Sequence, residues 1–148
     1  MNRINTIYTI GTSNQTIEGF IEVLIHYGIN LIIDVRSLPK SRFIHFNREN
    51  LESSLSGKGI DYQWMGDILG GFRAGSYDTY TGSEDFKNGL AGLEKLARET
   101  PSAFCCAERS PWECHRRFIA RELERRNWLV LHILDKDRLW TYEQKELF

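Results

Sequence analysis

Residues 104–117, FCCAERSPWECHRR, bring a carboxylate (Glu108), thiols (Cys106 and Cys114), an imidazole (His115) and two guanidiniums (Arg116 and Arg117) into one short stretch. A thiol beside a histidine and an arginine has the neighbours that favour the thiolate, the nucleophilic form. Glu108 can orient His115 or take a substrate proton, so these two are the leading acid–base pair. Cys114 is either a nucleophile or a wall of the pocket. No cysteine-phosphatase loop is present, because neither Cys106 nor Cys114 is followed by arginine six residues later. Cys106, Cys114 and His115 offer at most three metal ligands with no paired knuckle, so no structural metal site is expected. An open three-ligand site and a redox pairing of Cys106 with Cys114 stand as weaker alternatives.

Other residues point to an anionic ligand. Asp34 and Arg36 alternate at the end of an apolar run, so their side chains share one face. Asp34 is read as orienting or activating a group, or else as holding a loop. Arg36, Arg42 and Arg73 stand in or beside irregular segments, where a guanidinium can grip phosphate or carboxylate in a bidentate fork. Arg116 joins them near an expected helix start, where free amides favour negative charge. Ser13 and Asn14, in the turn Gly11-Thr12-Ser13-Asn14, complete the expected substrate-binding set. That turn lacks the spacing of known phosphate loops and fits an ordinary strand-to-helix connection equally well.

The elements that must position these groups follow from apolar periodicity. Residues 7–10, 31–35, 60–65, 103–107 and 128–134 have strand character, with a short terminal strand over 139–142. Helical spacing occurs at Ile17, Phe20, Ile21, Leu24 and Ile25, with Thr16 as cap and Gly28 as stop. A second helix is expected from Asn47 through Leu55. A third carries Phe86, Leu90, Leu93 and Leu96 behind Ser83 or Glu84. Ser110-Pro111-Trp112-Glu113 has the form of a capping box with proline at the first helical position, which places a helix start there and its end near Arg126. Residues 66–82, rich in glycine and tyrosine, form a loop long enough to be functional, as a lid or a stacking surface.

Strands alternating with single helices predict one α/β domain over residues 1–148, with a mainly parallel sheet of about five strands and helices on both faces. In such sheets ligands bind beyond the carboxyl ends of the strands, near a switch in strand order. The polar strand ends Gly11-Thr12-Ser13-Asn14, Asp34-Val35-Arg36-Ser37 and Glu108-Arg109 are expected to meet there.

Composition sets the class. The chain has 148 residues, 41% hydrophobic and 26% charged, with a formal net charge of −1, which gives no global field for nucleic acid. Two local basic clusters remain: Arg36, Lys40, Arg42, His45 and Arg48, and Arg116, Arg117, Arg121, Arg125 and Arg126. Three cysteines give an odd count and no disulfide framework. Residues 1–12 lack a signal-peptide pattern and no run approaches a membrane span, so the expected setting is the cytoplasm.

The motifs Thr9-Ile10-Gly11-Thr12-Ser13-Asn14, Asp34-Val35-Arg36-Ser37, Leu69-Gly70-Gly71-Phe72-Arg73, and Cys106-Ala107-Glu108 followed by Cys114-His115-Arg116 resemble the family catalogued as domain of unknown function 488. The resemblance covers nearly the whole chain. Thr12 departs from it, since many members carry histidine after the glycine. It implies a small α/β protein and candidate residues, with no reaction attached. The expected function is hydrolysis or group transfer on an anionic substrate such as a nucleotide or nucleic-acid component. The alternative is a non-catalytic nucleic-acid or nucleotide-binding module built on the arginine clusters and the tyrosine loop. Neither cofactor nor oligomeric state follows from the sequence.

Overall fold

β-Branched and aromatic residues give the strands their cores. The computed structural model describes residues 5–141. β1 (Asn5–Gly11), β2 (Leu31–Asp34), β3 (Asp61–Trp64), β4 (Ser102–Cys106) and β5 (Trp128–Asp135) run parallel, and β6 (Arg138–Trp140) pairs antiparallel with β5. The sheet order is β3-β2-β4-β1-β5-β6. β2 and β4 are buried at every residue, as a parallel sheet covered on both faces requires.

α1 (Ile17–His26) starts where the Thr16 hydroxyl accepts the Gly19 amide, and it gives way at Gly28, whose φ of +71° suits glycine. α2 (Arg48–Ser56) follows a short 3₁₀ turn, Ile44–Phe46. Asn47 precedes α2 without capping it, because its Oδ1 accepts the Ser41 amide instead. α5 (Glu84–Glu99) is capped by the Ser83 hydroxyl on the Phe86 amide. The 66–82 segment holds two single-turn helices, α3 (Gly66–Leu69) and α4 (Tyr77–Tyr80).

Phe20, Leu24, Phe46, Leu51 and Leu55 pack on one face of the sheet with Ile10, Ile32 and Cys105. Phe86, Leu90, Leu93, Ile119 and Leu123 pack on the other with Ile33, Phe104 and Cys106. The chain therefore winds outward from β1 with α1 and α2 on one face. It then returns to β4 and β5 with α5 and α6 (Arg116–Arg125) on the other. β4 enters between β2 and β1, and that reversal opens the crevice beyond the strand ends.

The helix start expected at Ser110 is corrected. Pro111–Glu113 makes one 3₁₀ turn, the Ser110 side chain caps nothing, and α6 begins only at Arg116. Cys114 is the reason: its extended backbone, φ −135° and ψ 157°, interrupts the helix and turns its side chain toward β4. The short terminal strand is β6; residue 142 of that expectation lies outside the described residues. No helix among the described residues is long and apolar enough to cross a membrane.

Candidate functional site

Above the carboxyl ends of β2 and β4 lies a cleft of about 500 Å³, lined by Arg36, Lys40, Cys106, Glu108, Cys114 and His115 among others. A larger, shallower groove of about 910 Å³ at the opposite strand ends holds no cysteine or histidine and is lined by Glu49, Glu52 and Asp61. The candidate acid, thiol and imidazole groups line the first.

Strand alternation sends Cys105 into one core and Cys106 to the opposite face. The Cys106 and Cys114 sulfurs lie in direct contact, close enough to be read as a disulfide, while their Cα atoms stand 7.5 Å apart. Cys106 Sγ is 3.6 Å from Glu108 Oε2. Cys114 Sγ accepts the Arg116 amide at 3.4 Å, at the start of α6.

His115 is held on three sides. Its Nε2 lies 2.9 Å from the Val35 carbonyl, which can only accept, so Nε2 carries the proton and Nδ1 is left as the acceptor. Nδ1 is 3.5 Å from Cys114 Sγ. The Tyr77 ring stands 5.2 Å away, and a Cβ on Gly71 would come within 2.9 Å of Nδ1. Gly71 thus lets the backbone lie against the imidazole. Burial pulls the His115 pKa down, outweighing the Val35 carbonyl and the Glu108 charge, which favour the cation.

Gly70 serves the same loop. A Cβ there would meet Ser37 Oγ at 2.1 Å, and that hydroxyl accepts the Phe72 amide. Tyr77 donates to the Leu69 carbonyl and Tyr80 to that of Ile68. These bonds tie the 66–82 segment down beside the cleft.

Asp34 sits beneath the cleft, with no exposed surface. It accepts from Arg36 Nε at 2.9 Å and Nη2 at 2.8 Å, and from the Tyr62 hydroxyl at 2.5 Å. Burial lowers the Arg36 pKa, but the Asp34 bonds more than reverse it, so the guanidinium stays charged. Burial and then Asp34 push the Tyr62 hydroxyl upward, and the same two causes raise the Cys105 thiol. The third guanidinium nitrogen, Arg36 Nη1, is buried and has no partner among the described residues.

The remaining expected site residues fall in different places. Ser13, at φ +48°, donates its amide to the Ala107 carbonyl, which brings the 11–14 turn against the Cys106–Glu108 segment; Asn14 is exposed beside it. Arg116 is fully buried and donates to Thr9 Oγ1 and to the carbonyls of Glu108 and Arg109. Its guanidinium shapes the 108–109 turn from below. Arg73 donates to the carbonyls of Gly70 and Asp67 and stacks on Tyr80. Arg42 is exposed over the Phe43 ring, away from the cleft lining.

Sequence reasoning missed Tyr62 and the Val35 carbonyl, and it read Tyr77 only as part of a lid or stacking loop, without its contact to His115. Their roles depend on strand register and loop closure, which no local pattern states. Gly70 and Gly71 were visible as a pair, but nothing in the sequence says what they touch.

A family model described as Domain of unknown function DUF488 matches residues 16–123. No curated protein and no solved structure matches the chain.

Proposed function

The chain belongs to the family of the domain of unknown function DUF488, and from that premise, which carries no reaction, we propose an enzyme that acts on an anionic substrate by hydrolysis or group transfer. The substrate class is a nucleotide or nucleic-acid component, and the cleft over β2 and β4 is its seat. One observation carries this reading. Arg36 is held rigid by Asp34, lines the cleft, and keeps its buried Nη1 without a partner among the described residues. A buried donor without an acceptor costs roughly 1–3 kcal/mol, which a phosphate or carboxylate oxygen removes. Lys40 adds a second cation to the same lining.

The reacting groups stand beside that anion seat. His115 offers Nδ1 as a proton acceptor to Cys114 or to a substrate hydroxyl or water. Glu108, exposed at the rim, is the second acid–base group. Ser13 and Asn14 border the 107–108 segment and can reach substrate from the β1 side.

The alternative, a nucleic-acid-binding module, is less well supported. Arg121 pairs with Asp78 and Glu122, Arg125 with Glu122, and Arg126 with Glu94, so much of the second cluster is neutralised within the fold.

The test is a thermal-shift screen of inorganic phosphate, nucleoside phosphates, free bases and sugar phosphates on wild type, Lys40→Ala and His115→Ala. A ligand at 100 times its Kd stabilises by about 2.7 kcal/mol, or roughly 5–10 °C for a domain of this size. A shift with a phosphate-bearing ligand, reduced in both variants, supports the reading. Failure of every anionic ligand to stabilise wild type overturns it. Oligonucleotide binding that falls steeply with salt and ignores both substitutions favours the binding module.

A further inference from the structure

The geometry points to a divalent metal site of the zinc class at Cys106, Glu108 and Cys114, with an open position toward the cleft. One ligand atom from each of these residues lies within 4.8 Å of the others. Two thiolates and a carboxylate are a donor set for a borderline-soft ion such as Zn²⁺. The backbone spacing favours an ion over a covalent bridge. The two Cα atoms are 7.5 Å apart, whereas disulfides usually span about 4.4–6.8 Å. Two thiolates on a tetrahedral zinc, at ~2.3 Å each, stand roughly 3.8 Å apart, which suits the wider spacing.

The surroundings prepare the Cys114 sulfur and the Glu108 carboxylate as ligands. The Arg116 amide donates to Cys114 Sγ, and the buried Arg116 guanidinium lies behind the Glu108 and Arg109 carbonyls, fixing the turn that presents Glu108. The extended backbone at Cys114, which delays α6 until Arg116, is what aims its sulfur at Cys106. Zinc sites with three protein ligands keep the fourth position for water or substrate, and here the three side chains line the cleft that holds Arg36 and Lys40.

This inference deepens the enzyme reading. Cys114 becomes a ligand, and the nucleophile becomes a water held by the ion. It is tested without any substrate, so its failure leaves the anion-binding result standing, and the reverse also holds.

Reduced, metal-free protein is titrated anaerobically with Co²⁺, followed by displacement with Zn²⁺ against a chromophoric chelator. One equivalent is expected, with a thiolate-to-cobalt charge-transfer band. Cys106→Ser and Cys114→Ser abolish that band. Glu108→Gln weakens zinc affinity by about tenfold or more, since outer-shell changes alone already cost that much. Cys105→Ala retains the band, because Cys105 lies on the opposite face of β4. Should a serine variant fail to fold by circular dichroism, wild-type alkylation decides: zinc protects Cys106 and Cys114 in mass-mapped peptides. A reduced protein that binds no stoichiometric ion, or binds it equally well in Cys106→Ser, overturns the site. So does zinc that protects neither thiol.

Discussion

Replacing Asp34 by Asn tests whether the buried pair beneath the cleft holds the structure that the anion seat needs. The carboxylate has no exposed surface and Arg36 is 4% exposed. Asn keeps the shape, but one carboxylate oxygen becomes an NH2 group that faces donors. The Tyr62 hydroxyl and two guanidinium nitrogens then compete for a single acceptor. Removing one partner of a buried pair costs roughly 3–5 kcal/mol, because the other charge stays buried. For a domain of about 150 residues that lowers Tm by roughly 6–20 °C. Guanidinium unfolding followed by tryptophan fluorescence measures the loss, with Asp135→Asn as reference. Asp135 pairs with Arg138 at the surface, where such a pair contributes about 1 kcal/mol or less. The Asp34→Asn/Tyr62→Phe cycle adds a coupling of about 0.5–3 kcal/mol if both act on one network. A loss no larger than that of Asp135→Asn, with no coupling to Tyr62, refutes the reasoning.

Other perturbations follow from the same contacts. Gly71→Ala places a Cβ 2.9 Å from His115 Nδ1, so the imidazole turns off the Val35 carbonyl; imidazole nitrogen NMR should lose the single Nε2–H tautomer, and an unchanged spectrum contradicts the packing. Gly11→Ala drives a Cβ to within 1.9 Å of the Glu108 carbonyl, and a displaced 106–109 segment should reduce both zinc and anion binding by calorimetry. His132 accepts from Thr9 and is pulled down to about 3, first by burial and then by Arg116. Its folded pKa lies below the unfolded value of about 6.5, so as pH falls the unfolded chain takes the proton first. Stability is then full above about 6.5 and is lost toward pH 3 by several kcal/mol; urea unfolding of wild type between about pH 7 and pH 4 should show that slope, and His132→Gln should flatten it. Glu94→Gln weakens the buried junction of α5 with Trp128 and Arg126 by roughly 1.5–3 kcal/mol, read from the shift in denaturant midpoint.

Much of the scaffold was legible from periodicity. Apolar spacing at Ile17, Phe20, Ile21 and Leu24 fits a helix packed on one sheet face, and Thr16 and Gly28 bound it as expected. The runs around Ile32 and Phe104 mark strands with both faces covered. The start of α6 was misplaced because Ser110-Pro111-Trp112-Glu113 satisfies a local capping pattern, whereas Cys114 answers to β4 across the fold. Local rules see the cap and miss the sulfur. Asp34 was correctly set at a strand end on the Arg36 side, but only register could reveal the Tyr62 hydroxyl among its donors. The arginines show the same limit. Arg36 and Arg116 look alike in sequence, yet Arg36 lines the cleft with a nitrogen that has no partner among the described residues, while Arg116 is enclosed beneath it.

β1 and β2 share no hydrogen bond; β4 is wedged between them and pairs with both. The middle of the sheet is thus filled by a segment that arrives about seventy residues after β2 leaves off. Until it arrives, the first two strands are separate pieces with a slot where Cys105 and Cys106 will go. Chains stopped short of β4 should expose Ile10 and Ile32 to solvent and be caught by chaperones or proteases, and no partly built version should bind a metal or an anion.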